Sequence, residues 1–269
     1  MDDRSRTLGL SPFLPTRLIA PEVTNVNELW LWDFHHGSCK VLTTGGWRRP
    51  SLFAILDDRS EFVCHAQWYL EESAENVVHA LMEAMLRYGL PVSTMSDNGF
   101  VVKSSEIVNG FAELGIVHKT TLPYRPWQIA KQEHLWRKIE DRLLPLLEDI
   151  PDLSLALLNE TTQVWLEHEH NCGHPSEAPR TPIKRFTTGP NVSRPCPETE
   201  KLRLAFTRAE KRRVRKVDGS IRIGGMRFNI PEEYRDRMTV EVRYVAWNWS
   251  FVQMIDKETG SVLCRLLPE

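Results

Sequence analysis

Long apolar runs, paired cysteines and net charge are all scarce in this 269-residue chain. No stretch approaches the roughly 20 consecutive apolar residues that a membrane-crossing helix needs. The opening Met1-Asp2-Asp3-Arg4-Ser5-Arg6 lacks the apolar segment of a secretion signal. A cytoplasmic protein with no membrane partner is expected. Five cysteines (Cys39, Cys64, Cys172, Cys196 and Cys264) form no Cys-x-x-Cys pair, which excludes a disulfide framework and points to reduced thiols. A net charge of −2 and a pI near 6.5 exclude a uniformly basic nucleic-acid coat.

What is present is enough apolar material, 41% of residues, for one large or two modest domains with real cores. Among the 36 acidic residues, three stand in distinctive contexts: Asp33 in Trp-Asp-Phe, Asp97 in Ser-Asp-Asn-Gly, and Glu133 in Lys-Gln-Glu. Asp33 interrupts the strand-like run Leu29-Trp30-Leu31-Trp32, where a carboxylate is costly unless it meets a metal or hydrogen bonds. Asp97 ends a second strand-like stretch at a turn. Glu133 starts a helical pattern whose apolar stripe is Leu135, Trp136, Ile139 and Leu143, and lies roughly a sixth of a turn from Trp136. Three carboxylates suit a two-metal phosphoryl-transfer site, because Mg²⁺ and Mn²⁺ prefer hard oxygen ligands. Solvated surface acids remain the alternative reading of the spacing alone.

Periodicity predicts strands near 29–35, 51–56 and 61–69, a helix over 74–88, a strand at 92–96, a helix at 105–114 and a short strand at 115–118. A loop over 120–127 leads into the Glu133 helix, which should stop before Pro145; another helix covers 153–169. Residues 1–26 form a Pro-interrupted arm. Five prolines within 176–198 predict a linker that a dense basic run prolongs to 216, with the whole linker placed at 175–216. Eight cations fill 201–216, including Lys211, Arg212, Arg213, Arg215 and Lys216, against the single acid Glu210. Residues 217–269 turn β-like. A second basic group, including Arg125, Lys131 and Lys138, surrounds Glu133. For both groups a solvated face competes with phosphate contact.

The residues from 27 to about 186 resemble the catalytic core of DDE transposases and retroviral-type integrases, and more closely bacterial insertion-sequence transposases. The resemblance is carried by Trp32-Asp33-Phe34-His35-His36-Gly37, Ala54-Ile55-Leu56-Asp57-Asp58-Arg59-Ser60, Tyr88-Gly89-Leu90-Pro91, Ser96-Asp97-Asn98-Gly99, Pro123-Tyr124-Arg125-Pro126, Ala130-Lys131-Gln132-Glu133 and Thr181-Pro182-Ile183-Lys184-Arg185-Phe186. Where that family usually has Gly-Lys-Ile-Glu, the chain has Ala130-Lys131-Gln132-Glu133 and so lacks a glycine. The C-terminal stretch is similar, over a shorter span, to the small β-barrel of phage Mu-type transposases.

The resemblance implies an α/β fold with an RNase H-like core over 27–174 and a C-terminal β-barrel over 217–269. It further implies Asp33, Asp97 and Glu133 as catalytic residues holding two Mg²⁺ (or Mn²⁺) ions, and cleavage and joining of DNA at element ends and target. DNA contacts from Arg125, Lys131, Lys138 and the 211–216 cations, a homo-oligomer on DNA and an accessory transposition protein belong to the same expectation. Transposases of this type carry a helix-turn-helix region upstream, and fewer than 30 residues precede the core here. A truncated or catalytically silent DNA-binding regulator is therefore the alternative. His168, His170, Cys172 and His174 suggest zinc by composition, but their alternate spacing favours a packed helix end. Asp57-Asp58 suits a hairpin turn, His35 and His36 a strand end or a place near the metals, and Trp247 and Trp249 barrel packing.

Overall fold

A computed structural model describes residues 23–97, 99, 103–121, 130–173 and 181–269. Arg125, Asn98, His174, most of the 120–127 loop and all but the end of the N-terminal arm lie outside these residues.

The sheet is built around β1 (Leu29–His36). A short hairpin, β2 (Val41–Thr43) and β3 (Gly46–Arg48), leads to β4 (Ser51–Asp57) and β5 (Val63–Tyr69). Helix α1 (Ala74–Tyr88) crosses to β6 (Ser93–Ser96), and α2 (Ser105–Glu113) crosses to β7 (Val117–Thr120). The strand order is β5-β4-β1-β6-β7. The first three strands pair antiparallel and β6 and β7 join in parallel. Parallel pairing requires the helical crossovers that α1 and α2 supply. Ser73 caps α1 by accepting from Asn76 N, and Ser104 caps α2 by accepting from Ile107 N.

The two faces of β1 separate by period two. Trp30 and Trp32 pack with Val77, Leu81, Met85, Ile107 and Phe111 of α1 and α2. Leu29 and Leu31 face the opposite core, filled by α3 (Ala130–Lys138) and α4 (Leu155–Trp165). Asp33 follows the parity of Leu29 and Leu31, so the backbone aims it toward the α3 side.

Both outer helices end in π-helical turns, Ile139–Leu143 and Leu166–Asn171, and the first continues as a 3₁₀ turn, Leu144–Leu147. The predicted stop before Pro145 is thus a change of helical pitch. Proline lacks an N–H and crowds the carbonyl four residues earlier, and the altered register still buries Ile139, Leu143, Leu144 and Leu147. The second π turn places Asn171 where its amide caps the edge of β5: its Oδ1 accepts from Val63 N at 2.9 Å and its Nδ2 donates to Val63 O at 3.3 Å. Asn159 does the same for Trp68 N and O, and Gln163 donates to Ala66 O. Amides from α4 and from the π turn after it thereby satisfy a sheet edge that would otherwise invite another strand.

The proline-rich stretch is more ordered than a linker. Pro182 opens α5 (Pro182–Thr188) at a first-turn position, where its missing N–H costs nothing. The chain then returns to the core, with Val26 N donating to Pro190 O and mutual backbone bonds between Leu90 and Arg194.

The basic run after α6 (Thr199–Ala205) is likewise folded: β8 (Arg208–Arg213) pairs antiparallel with β11 (Thr239–Val245). The stretch read as linker up to 216 therefore includes a sheet strand. β9 (Ser220–Ile223) and β10 (Met226–Asn229) form a hairpin whose Gly224 and Gly225 both take positive φ, 58° and 85°, as a two-residue turn demands. β12 (Asn248–Ile255) and β13 (Val262–Leu266) complete a four-stranded sheet of order β13-β12-β11-β8. The sheet and hairpin share one core of Val214, Ile221, Phe228, Val242, Val252, Met254 and Leu266. Strand pairing divides between these two sheets. Glu106 of α2, fully buried, joins this β unit to the rest by accepting from Arg208 Nε at 2.7 Å and Ala246 N at 3.2 Å.

Candidate active site at the end of the central strand

β1 and β6 run in parallel with Leu31 opposite Met95, so the next residues on that parity, Asp33 and Asp97, emerge side by side at the strand ends. Asp33 is partly buried, and its Oδ1 accepts from Phe34 N at 2.8 Å. Burial, then the negative charges of Asp97 and Glu72, push its pKa up from 3.8 to about 7. Asp97 is exposed, and its Oδ1 accepts from Gly99 N at 2.9 Å. A Cβ at Gly99 would sit 2.9 Å from that same oxygen, so a larger residue there would push the Asp97 carboxylate out of its present position.

Glu133 occupies the first turn of α3 and is exposed. Its neighbour Gln132 is buried and reaches Ala54 O, the carbonyl of the residue paired with Asp33 across β1 and β4. Among the described residues, no three His, Cys, Asp or Glu side chains come together as a metal-holding group. The two aspartates are close enough for the charge of Asp97 to act on Asp33, while Glu133 is presented to solvent from the first turn of α3. Two neighbouring, hard-oxygen carboxylates fit a divalent cation, since positive charge offsets both the burial and the repulsion that keep a proton on Asp33.

Sequence reasoning passed over Glu72 and Glu140. Glu72 precedes the Ser73 cap of α1, and its Oε1 lies 3.2 Å from His36 Nδ1; no local pattern reveals that it faces Asp33. Glu140 had a usable signal, because seven residues separate it from Glu133 and place both on nearly one helical face. It accepts from His35 Nε2 at 2.8 Å, Ser38 Oγ at 2.6 Å and Ser38 N at 3.2 Å. Those hydrogen bonds hold its pKa below the usual carboxylate range against the opposing effect of burial. His35 also stacks on Trp136, centroids 5.1 Å apart and planes 10° apart. A cavity of about 500 Å³ beside this cluster is lined by His35, His36, Ser38, Arg49, Ser51 and Glu140.

The basic residues sort by partner. Lys131 Nζ donates to Asp58 Oδ1 at 2.9 Å and to Asp58 O at 2.5 Å, so a phosphate there must compete with Asp58. Arg208 pairs with Glu106, Arg212 with Glu210, Arg215 with Asp218 and Arg203 with Glu200. Lys201, Lys211, Arg213 and Lys216 are exposed and make no ion pair among the described residues, and Lys138 makes none either. Asp57 is buried in the β4–β5 turn and accepts from Asn27 N, Ser60 N and Ser60 Oγ, a turn-building role that leaves Asp58 for Lys131.

His170 Nε2 donates to Glu61 O at 2.9 Å, and burial lowers its pKa to about 4, while Cys172 is exposed. Trp249 lies against Tyr244 and over Gly224, and Trp247 packs on the α1 and α2 side of the core.

No protein-family model matches the chain, and no curated protein matches it. Solved structures do. A simian T-cell lymphotropic virus intasome, in complex with PP2A regulatory subunit B56 gamma, aligns over 92% of this chain and 78% of its own at 17% identity, with a TM-score of 0.53. The catalytic core domain of BIV integrase aligns over 60% of this chain and 94% of its own at 23% identity and TM-score 0.48. The HTLV-2 integrase catalytic core domain in complex with magnesium, in its dimeric form, aligns over 60% and 97% at 20% identity and TM-score 0.48. The likeness to the first of these is one of fold: the chain has an integrase-like, mixed α/β core. No helix among the described residues is long and apolar enough to cross a membrane.

Proposed function

We propose that this protein is a DNA strand-transferase of the transposase and integrase type, cutting DNA at element ends and joining the freed 3′ hydroxyls to target DNA. The observation that carries the reading is the pairing of Asp33 with Asp97 at the ends of parallel β1 and β6 within an integrase-like fold, with Asp33 raised to about 7 by burial and then by the Asp97 charge. Asp33 and Asp97 would hold the metal, with Glu133 supplying a further oxygen from α3. When bound, two Mg²⁺ or Mn²⁺ ions supply the positive charge that activates an attacking oxygen and stabilises a leaving one at phosphorus. The chain's own part is to surrender the Asp33 proton, to fix both carboxylates on adjacent strands, and to present the DNA backbone to them.

Within 201–216, Lys201, Lys211, Arg213 and Lys216 have no ion pair among the described residues and are placed to meet phosphate; Arg212 and Arg215 would do so only by leaving Glu210 and Asp218. Arg125, Lys131 and Lys138 would flank the reacting strand. The motifs around Asp33, Asp97 and Glu133 support a bacterial insertion-sequence type, and the C-terminal sheets a Mu-type barrel, acting as a homo-oligomer on DNA with an accessory transposition protein. A DNA-binding regulator without chemistry is the second reading, favoured by the exposure of Glu133 and by the lack of a three-residue metal-holding group among the described residues. Titration calorimetry with Mn²⁺ separates the two. Heat of binding in wild type that vanishes in Asp97→Asn supports the enzyme; absence of binding in wild type supports the regulator.

A further inference from the structure

Helix α3 carries Glu133 but buries only Gln132, Leu135 and Trp136 of its nine residues, so apolar packing alone holds it weakly. Polar ties secure both ends. At the start, the Lys131 ammonium grips the side chain and backbone carbonyl of Asp58 in the β4–β5 turn. A cation in the first helical turn is opposed by the helix dipole, so this contact serves the tertiary placement of the helix rather than its intrinsic stability. At the far end, the π turn swings Glu140 onto the C-terminal end of β1. There one carboxylate takes hydrogen bonds from His35, from the Ser38 hydroxyl and from the Ser38 amide, while Trp136 stacks on the His35 ring. His35 lies two residues from Asp33 on the same face of the same strand. Glu140 and Asp33 are therefore tied through a rigid strand, and Glu140 and Glu133 through two turns of helix.

We infer that Glu140 is a positioning residue that fixes α3 on β1 and so sets where Glu133 stands relative to Asp33, with the Lys131–Asp58 pair as the tether at the other end. The inference rests on the proposed carboxylate site, yet the docking of α3 is measurable without it. Polar clasps of this kind hold metal-ligating side chains within the narrow tolerance that metal sites require, and their loss typically lowers metal affinity or activity by about 10- to 100-fold.

The test compares Glu140→Ala, Glu140→Gln and Asp58→Asn in the full chain. Amide hydrogen exchange in metal-free protein reads the docking directly. Glu140→Ala should speed exchange over 130–138 and 37–40 and leave α1 unchanged, Asp58→Asn should speed it at the start of α3, and Glu140→Gln, which still accepts from Ser38, should restore most of the protection. Mn²⁺-dependent cleavage of a DNA duplex reads the consequence: Glu140→Ala should raise the half-saturating Mn²⁺ and lower kcat, each by about tenfold, with KM for DNA unchanged. Exchange in Glu140→Ala identical to wild type would overturn the inference, as would faster exchange without any shift in the Mn²⁺ dependence of an active enzyme. A wild type that neither binds Mn²⁺ nor cleaves would sink the enzymatic reading while the exchange comparison still decides whether Glu140 docks α3.

Discussion

Replacing Asp33 by Asn should stabilise the metal-free protein at neutral and alkaline pH, which is the reverse of what removing a structural hydrogen-bond partner would do. The Asp33 carboxyl keeps its proton up to about pH 7 in the folded chain, mainly because burial and then the Asp97 and Glu72 charges disfavour its ionised form. In the unfolded chain it ionises near 3.8. The folded state therefore binds the extra proton between those values, so this group's contribution is fully present below pH 3.8 and is lost as pH rises through 7. Three tenfold steps in proton affinity set an upper bound of about 4 kcal/mol, and solvent access to a partly buried group reduces the expected loss to about 2 kcal/mol. Asn carries no charge at any pH and should abolish that slope. Urea unfolding followed by tryptophan fluorescence in EDTA, from pH 4 to pH 8, measures it. Wild type should lose about 2 kcal/mol across the range relative to Asp33→Asn. Mg²⁺ at a hundredfold excess over its Kd should return about 2.7 kcal/mol to wild type at pH 8 and almost nothing to the variant. Parallel pH profiles for the two proteins, or a variant less stable than wild type at pH 8, would refute the account of Asp33 as a carboxyl held protonated by burial and neighbouring charge.

The exposed cations of β8 should carry sequence-independent DNA affinity: Lys211→Gln with Arg213→Gln should lower the slope of log affinity against log salt by about 0.9 per phosphate lost, whereas Arg212→Gln with Arg215→Gln, which removes internally paired charges, should change it less. Filter binding across a salt series distinguishes the two pairs, and equal slopes would assign no special role to the free cations. Glu106→Ala should cost about 3 kcal/mol in thermal or urea unfolding, because it strands Arg208 and the Ala246 amide at the junction with the β unit. A loss below about 1 kcal/mol would mean that apolar contact, not this carboxylate, joins the β unit to α2.

Elements governed by local chemistry were legible in the sequence. The apolar run Leu29-Trp30-Leu31-Trp32 marks β1, and helical periodicity marks α1 over 74–88, as observed. Elements governed by distant partners were not. β8 reads as a polar run because the residues of one face, Arg208, Glu210 and Arg212, are matched to Glu106, Tyr244 and one another instead of to an apolar core. Pro182 resembles a breaker until its first-turn position is known. The β2–β3 hairpin is too short, at three residues a strand, to show a period. At the site, the Asp33 and Asp97 contexts announced themselves, since strand-end carboxylates interrupt apolar patterns. Glu133 was visible only as a member of a motif, and its exposed position on α3 follows from tertiary placement. Glu72 and Glu140 act across the fold, through His36, His35 and Ser38, and of these links only the seven-residue spacing of Glu140 from Glu133 leaves a local trace.

Strand transfer itself tests the central claim most directly. Duplex oligonucleotides bearing candidate element ends with free 3′ hydroxyls, incubated with plasmid target and Mn²⁺, should yield covalently joined product with wild type, none in EDTA, and none with Asp97→Asn although that variant still binds the duplex. Joined product from Asp97→Asn at the wild-type level, or wild type that binds both DNAs in Mn²⁺ and never nicks or joins them, would contradict the account.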